Sequence, residues 1–111
     1  MTDRFRVVWA ESAERDLGKI ITYRLEHQPE GSLESLNALK TASSQLYHFP
    51  ERDRVVPELQ SQGIYLFREL IVPPSRLIYR ISEKTVVVLT VFDSRQSIDD
   101  VILSRILGEI Q

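Results

Sequence analysis

Apolar residues along the chain repeat first at strand spacing and then at helical spacing. FRVVW at 5–9 is rich in β-branched and aromatic residues and predicts a strand. From Ser12, the predicted N-cap, apolar positions recur at helical spacing and predict a helix over 12–28 that ends before Pro29. A second stripe predicts a helix over 32–49, so the two helices form a hairpin.

The second half of the chain predicts a sheet followed by one more helix. IYLFRELI at 64–71, RLIYRI at 76–81 and TVVVLTVF at 85–92 are strand-like runs. The links between them are short enough to require antiparallel neighbours. Residues 51–63 have no sustained period and predict an ordered loop, whereas 97–110 have helical spacing.

The order of these elements predicts an α+β fold in a single domain spanning residues 1–111. The N-terminal strand and the three-stranded antiparallel meander supply one twisted sheet, and the helices pack on it. The helical hairpin should cover one face, and the C-terminal helix should cover the other face only partly, if at all. An uncovered face or sheet edge is where a partner would bind.

The composition gives no global reason to expect nucleic-acid or membrane binding. Lys and Arg total 14 against 16 Asp and Glu, and the net charge of −2 means that any basic site must be local. The chain has no cysteine and no cluster with metal-ligand spacing, so we expect neither a metal nor another cofactor. Without a leader pattern or an apolar run of about 20 residues, the sequence predicts a soluble cytoplasmic protein with no membrane partner.

Arginines within the strand-like runs are the first candidates for function, because a buried charge needs a partner. Side chains alternate along a strand, so Arg76 and Arg80 should share one face while Leu77 and Tyr79 share the core face. In one interpretation, the arginines pair with carboxylates of neighbouring segments. In the other, they form a local basic concavity that binds phosphate or a partner's carboxylate.

Six short segments follow one another along most of the chain. They are Val8-Trp9, ESAERDLGKIITY at 11–23, FPERDRVVPEL at 49–59, FREL at 67–70, SRLIYRI at 75–81 and VVVLTVFDSRQ at 86–96. In this order and spacing, the segments resemble the RelE/ParE superfamily of toxins from bacterial type II toxin-antitoxin modules. Each segment alone is short, so the resemblance depends on their succession.

The resemblance implies a small cytoplasmic toxin that inhibits growth and contributes to plasmid stabilisation. It also implies a hetero-oligomer in which the C-terminal segment of a cognate antitoxin wraps around the toxin and holds it inactive. RelE-like members of the superfamily cut mRNA in the ribosomal decoding site, whereas ParE-like members inhibit DNA gyrase. The expected partners are therefore an antitoxin and either gyrase or the ribosome with its mRNA.

A ribosome-dependent nuclease needs a base for the ribose hydroxyl, cations for the phosphate and an acid for the leaving oxygen. By the resemblance, Arg76 of SRLIY and Arg95 of VFDSR occupy phosphate-binding positions, and Arg68 is a third candidate for binding a target or phosphate. FRE at 67–69 replaces the lysine pair of RelE-like enzymes. Asp93 stands where a histidine is common.

Glu58 of VPEL is the candidate for a general base, and the alternative is a loop carboxylate paired with Arg54 or Arg76. A nuclease version of the site would use Glu58, Arg76 and Arg95. Because an acid is missing from that set, the sequence favours a ParE-like toxin that acts by binding and is not an enzyme. An endoribonuclease, and an inactive member that only binds an antitoxin, stay open as alternatives.

Overall fold

The computed structural model describes residues 4–93 and 97–106, and within them it has the predicted α+β architecture. The strands are β1 (Arg6–Trp9), β2 (Phe67–Val72), β3 (Ser75–Ser82) and β4 (Thr85–Asp93). The helices are α1 (Glu11–His27), α2 (Ser32–Ser43), a short α3 (Pro57–Gln60) and α4 (Ile98–Val101), which continues as a π-helical turn over Ile102–Ile106. Turns of 3₁₀ helix occupy Ser44–Tyr47 and Pro50–Arg52. The end of the predicted last helix, 107–110, lies outside the described residues.

The strands form a four-stranded sheet in the order β1-β4-β3-β2. The predicted antiparallel meander of β2, β3 and β4 is confirmed. β1 pairs in parallel with β4, with Arg6 opposite Thr85, and therefore forms one edge of the sheet. A parallel neighbour needs a long crossover connection, and the intervening helices and strands provide it.

A β-bulge in β4 changes which of its residues share a face. Tyr79 of β3 lies opposite Val88, but the preceding residue of β3 lies opposite Thr90, so Leu89 is an extra residue in β4. Beyond this bulge Val91 returns to the same core cluster as Val88. The side-chain alternation expected for every strand would group Val91 with Leu89, and for β4 this expectation is therefore wrong.

The helical hairpin covers one face of the sheet, as predicted. α1 contributes Ala13, α2 contributes Leu39, and the following 3₁₀ turn contributes Leu46. These residues pack with buried residues from near the N-terminus and from β2, β3 and β4, namely Phe5, Leu70, Leu77, Tyr79, Val86, Val88 and Val91. We call this the first face.

The opposite, second face of the sheet is covered partly by the C-terminal helix, and the segment around α3, which was predicted as a loop, covers more of it than the sequence led us to expect. Its buried cluster comprises Val56, Leu59, Phe67, Ile78, Leu89, Phe92, Val101 and Ile106. The segment around α3 supplies Val56 and Leu59, and the C-terminal helix supplies Val101 and Ile106. Ile78 on β3, which the sequence placed on a polar face, is fully buried.

Several element boundaries differ from those predicted, most of them by one residue, and three of the differences have a local structural cause. α1 begins at Glu11 after an extended Ala10, so Ser12 is not the N-cap. α2 tightens into 3₁₀ geometry at Ser44, where two successive serine hydroxyls donate to carbonyls three residues earlier. β2 begins three residues late because the amide of Ile64 donates to the carbonyl of Leu59 and closes the turn after α3.

Candidate functional site

Two arginines and two glutamates meet over the second face of the sheet. Arg76 lies on β3, and Glu69 lies on β2, two residues before the residue that pairs with Arg76. Arg54 precedes α3, and Glu58 lies within it. We call these four residues the arginine–glutamate cluster.

The segment that carries Arg54 and Glu58 lies along the outer edge of β2. The amide of Glu69 donates to the carbonyl of Arg54 at 3.0 Å, and the amide of Val56 donates to the carbonyl of Phe67 at 3.0 Å. These two backbone bonds extend the sheet by one short, antiparallel bridge. α3 then begins and carries Glu58 over the sheet.

Glu69 is the buried centre of the cluster, with no exposed side-chain area. Its Oε1 accepts hydrogen bonds from Arg76 Nε at 2.7 Å and from Arg76 Nη2. Its Oε2 accepts from Arg54 Nε at 2.6 Å. The guanidinium of Arg76 also lies over the ring of Phe92, with Cζ 5.4 Å from the ring centroid. A carboxylate excluded from water needs partners of this kind to offset the free energy lost with its hydration.

Glu58 contacts the outward side of Arg76 at longer distances. Its Oε1 lies 3.1 Å from Arg76 Nη2, and its Oε2 lies 3.4 Å from Nη1. The Glu58 side chain is 36% exposed, against 13% for Arg76. Burial raises the pKa of Glu58, but hydrogen bonds and charge from Arg76 outweigh it and hold that pKa below its ordinary value. Burial lowers the pKa of Arg76, and its bonds to the two glutamates outweigh this effect and raise it.

The cluster is balanced in charge, since two guanidinium groups face two carboxylates. Arg76 already donates to carboxylates through Nε and both Nη atoms, so a phosphate would have to compete with them. Glu58, with its lowered pKa, stays ionised at neutral pH but is a weak base. The arrangement is therefore better suited to a fixed ion network than to proton transfer.

Arg68 lies on the first face of the sheet, opposite Tyr79, and the structure does not bring it together with Arg76. Its Nη1 donates to the backbone carbonyl of Asp53. The buried Tyr79 hydroxyl lies 2.9 Å from Asp53 Oδ2 and also contacts the carbonyl of Pro50. Burial and the neighbouring Asp53 carboxylate raise the pKa of Tyr79 far above its ordinary value, so this hydroxyl is a poor proton donor in catalysis.

Neither of the two histidines of the chain lies in the arginine–glutamate cluster. Arg95 lies outside the described residues. His27 ends α1, where its ring stacks on Tyr23 with the centroids 4.4 Å apart, and His48 follows the first 3₁₀ turn. Over residues 4–93 and 97–106, no group of three His, Asp or Glu side chains is arranged to hold a metal ion. Within the same ranges, no helix combines the length and the apolar character that crossing a bilayer requires.

A second charged cluster joins α1 to the C-terminal helix. Asp16 of α1 accepts hydrogen bonds from Arg105 Nη2 at 2.6 Å and from Arg105 Nη1 at 2.9 Å. The hydroxyl of Thr90 on β4 donates to the same carboxylate at 2.9 Å. A groove of about 490 Å³ lies beside this cluster and is lined by Asp16, Lys19, Ile20, Tyr23, Arg24, Val91, Asp93 and Arg105.

The polar contacts of α1 were not predicted from the sequence. A charged residue on a predicted apolar stripe is the signal that could have found them. Arg105 stands on the stripe of the C-terminal helix, and Asp16 stands beside the stripe of α1. Arg24 also lies on the inner side of α1, where its Nη2 donates to Ser75 Oγ at 2.7 Å.

The family of the chain is shown by comparing its sequence with models of known protein families. The sequence matches the family model of the ParE toxin of the type II toxin-antitoxin system parDE over residues 7–98. The chain belongs to the ParE toxin family. By family, it is the toxin of a type II toxin-antitoxin system, and the resemblance to the RelE/ParE superfamily is confirmed.

Solved structures share the fold of this ParE-family toxin. The chromosomal ParDE toxin-antitoxin system from P. aeruginosa matches with a TM-score of 0.66 at 17% identity, covering 83% of this chain and 98% of that chain. The toxin-antitoxin complex RelBE2 from Mycobacterium tuberculosis matches with a TM-score of 0.54 at 24% identity, covering 81% and 91%. At these identities the likeness shows the fold alone. No match is found among curated protein sequences.

Proposed function

We propose that this ParE-family toxin inhibits DNA gyrase by binding it, without chemistry of its own. The observation that carries the proposal is the bonding of Arg76, whose guanidinium is shared between Glu58 and Glu69. A phosphate-binding arginine that is neutralised in this way is poorly placed to stabilise a charged transition state. The lowered pKa of Glu58 also weakens the candidate base.

The tip of the helical hairpin is our candidate for the surface that contacts gyrase. Leu25, near the end of α1, is 57% exposed, and Leu33, at the start of α2, is 70% exposed. Tyr23 on α1 is half exposed. Exposed large apolar side chains at the end of a helical hairpin can supply the apolar anchors of a protein–protein contact.

A supercoiling assay with purified gyrase and antitoxin-free toxin tests this proposal. We expect the toxin to abolish supercoiling, and the double variant Leu25→Ser/Leu33→Ser to lose most of that effect while keeping its fold. Leu66→Ser is the matched control, because Leu66 is also half exposed but precedes β2, away from the hairpin. Unchanged supercoiling at a large molar excess of wild-type toxin would refute gyrase inhibition.

We further propose that a cognate antitoxin neutralises this toxin in a hetero-oligomer. Membership in the ParE toxin family supports an antitoxin partner, and so do the two structural relatives, a ParDE toxin-antitoxin system and a RelBE2 toxin-antitoxin complex. Co-expression with the protein encoded beside the toxin gene should restore growth and yield a stable complex. A neighbouring product that neither binds the toxin nor relieves growth arrest contradicts the pairing.

Ribosome-dependent cleavage of mRNA is the second candidate function, because the structure brings Glu58 within 3.1 Å of Arg76. With Arg95, these residues would form a base and two phosphate ligands. Primer extension on translated messages should then show cuts at codon positions that disappear in Arg76→Ala. Growth arrest without such cuts excludes the nuclease, and expression without any growth arrest indicates a member that only binds an antitoxin.

A further inference from the structure

We propose that the outward side of Arg76 is a receptor for a carboxylate of a protein partner, and that Glu58 is an internal substitute which that carboxylate displaces. The proposal rests on the proposed function only in that an antitoxin or gyrase would supply the acidic segment. It assigns a binding role to one side of a single guanidinium.

The two sides of the Arg76 guanidinium are bonded differently. On the inner side, Glu69 accepts from Nε at 2.7 Å and from Nη2, and Arg54 fixes the second oxygen of Glu69 at 2.6 Å. On the outer side, Glu58 accepts at 3.1 Å and 3.4 Å. Short, buried, charge-assisted bonds hold more tightly than long, partly exposed ones. Glu69 therefore anchors Arg76, whereas Glu58 can be exchanged.

The position of Glu58 also permits exchange. It lies on α3, which spans only Pro57–Gln60, and its side chain is 36% exposed. When a partner's carboxylate takes its place, the Glu58 carboxylate can turn to water without leaving a buried charge unpaired. The cluster keeps its charge balance, since one carboxylate replaces another.

The surroundings favour a protein over a nucleic acid as the source of the anion. Ile71 of β2 lies directly opposite Arg76 and is 46% exposed, which offers an apolar contact beside the charged one. A nucleic acid would bring several phosphates towards a chain of net charge −2 with Glu69 fixed beneath the site. A protein segment with an acidic side chain next to an apolar one matches both the Arg76 guanidinium and the exposed Ile71 side chain.

Binding of a short oligoglutamate peptide to purified toxin tests the receptor without any natural partner. In fluorescence anisotropy at low salt, Glu58→Ala should bind the labelled peptide about three- to fivefold more tightly than wild type, because the internal competitor is gone. Glu83→Ala is the control. It removes the same charge from the turn at the far end of the β3–β4 hairpin, so it measures the general electrostatic effect alone.

The tighter peptide binding of Glu58→Ala should depend on the planar guanidinium of Arg76. In the double variant Glu58→Ala/Arg76→Lys, which keeps the charge, we expect the affinity to fall back to that of Glu83→Ala. Equal affinities of Glu58→Ala and Glu83→Ala would overturn the proposal. So would a larger gain for a single-stranded RNA of matched charge than for the peptide. Because no gyrase or antitoxin is present, either result leaves the proposed function intact, and a failed gyrase assay leaves the receptor intact.

Discussion

At the scale of single residues, Arg76 shows how a guanidinium can be placed among apolar neighbours. Its planar donors match two carboxylates and its face meets an aromatic ring, so little of its charge is left uncompensated. Glu69 depends on the same bonds, because its side chain has no exposed area. Removing one member of such a pair costs more than the pair contributes, since the other charge stays buried.

The lowered pKa of Glu58 predicts a pH dependence of stability. A carboxyl whose folded pKa lies below its unfolded value of about 4.3 stabilises the fold at higher pH, and this contribution is lost as the pH falls through the folded pKa. Wild-type toxin should therefore lose more stability than Glu58→Gln between neutral pH and about pH 3. Urea denaturation midpoints across that pH range measure this loss of stability. Midpoints that change equally with pH in the two proteins would contradict the ion pair.

Tyr79→Phe removes a buried hydroxyl that contacts the Asp53 carboxylate and the Pro50 carbonyl. We expect a loss of about 1–2 kcal/mol in the free energy of unfolding, because the one buried O–H donor shared by these two acceptors is removed. Tyr65→Phe is the matched control, since Tyr65 is largely exposed. Equal unfolding free energies for the two variants in urea denaturation would show that the Tyr79 hydroxyl contributes nothing.

At the scale of elements, the C-terminal helix is attached to the rest of the fold in two ways. Val101 and Ile106 pack into the second face of the sheet. Arg105 adds a bidentate ion pair with Asp16 on α1, a residue 89 positions earlier in the chain. The apolar contacts account for the burial of the helix, and the ion pair fixes its position relative to α1.

Arg105→Ala should loosen the C-terminal helix more than it disturbs the sheet. Among the described residues, the variant leaves the nearly buried Asp16 carboxylate with the Thr90 hydroxyl as its side-chain donor, and we expect a cost of about 2–3 kcal/mol. Amide hydrogen exchange should accelerate in residues 98–106 more than in β3. Ser104→Ala, at an exposed position of the same turn, is the control, and equal exchange in both variants would argue against the tether.

At the scale of the whole molecule, the sheet separates two cores. The first face packs against α1 and α2, and the second face packs against the α3 segment and the C-terminal helix. The charged clusters lie at the margins of these cores, where one side of each guanidinium can reach water. Because most of both faces is covered, the surfaces that the described residues offer to a partner are the edges, the grooves, the helix tips and the margin of the second face beside Arg76 and Ile71.

Leucine-to-alanine changes should show that both faces are true cores. We expect Leu46→Ala on the first face and Leu59→Ala on the second to cost about 2–4 kcal/mol each in unfolding free energy. Leu33→Ala, at a 70% exposed position, should stay within about 0.5 kcal/mol of wild type. A small effect of Leu59→Ala in urea denaturation would restore the idea of an open second face.

The sequence by itself determined the family and the order and type of the main strands and helices, but it predicted a loop over 51–63, where the structure has a 3₁₀ turn and α3. Helical and strand periods are local properties, so α1, the antiparallel meander and the C-terminal helix could be predicted from short windows. The succession of segments from Val8-Trp9 to VVVLTVFDSRQ was enough to indicate the superfamily. In the candidate site, the sequence left two roles open for Glu58, a general base or a loop carboxylate paired with Arg54 or Arg76, and did not distinguish between them.

Only the tertiary structure decided the parallel pairing of β1, the covered second face and the partners of the charged groups. Each depends on contacts between residues far apart in sequence, and no local period encodes them. The bulge at Leu89 is an example, since one inserted residue reverses the facing of every later side chain in β4. Arg76 is a second example. The sequence determines its charge, but the carboxylates that neutralise this charge reach it only because α3 folds back over β2 and β3.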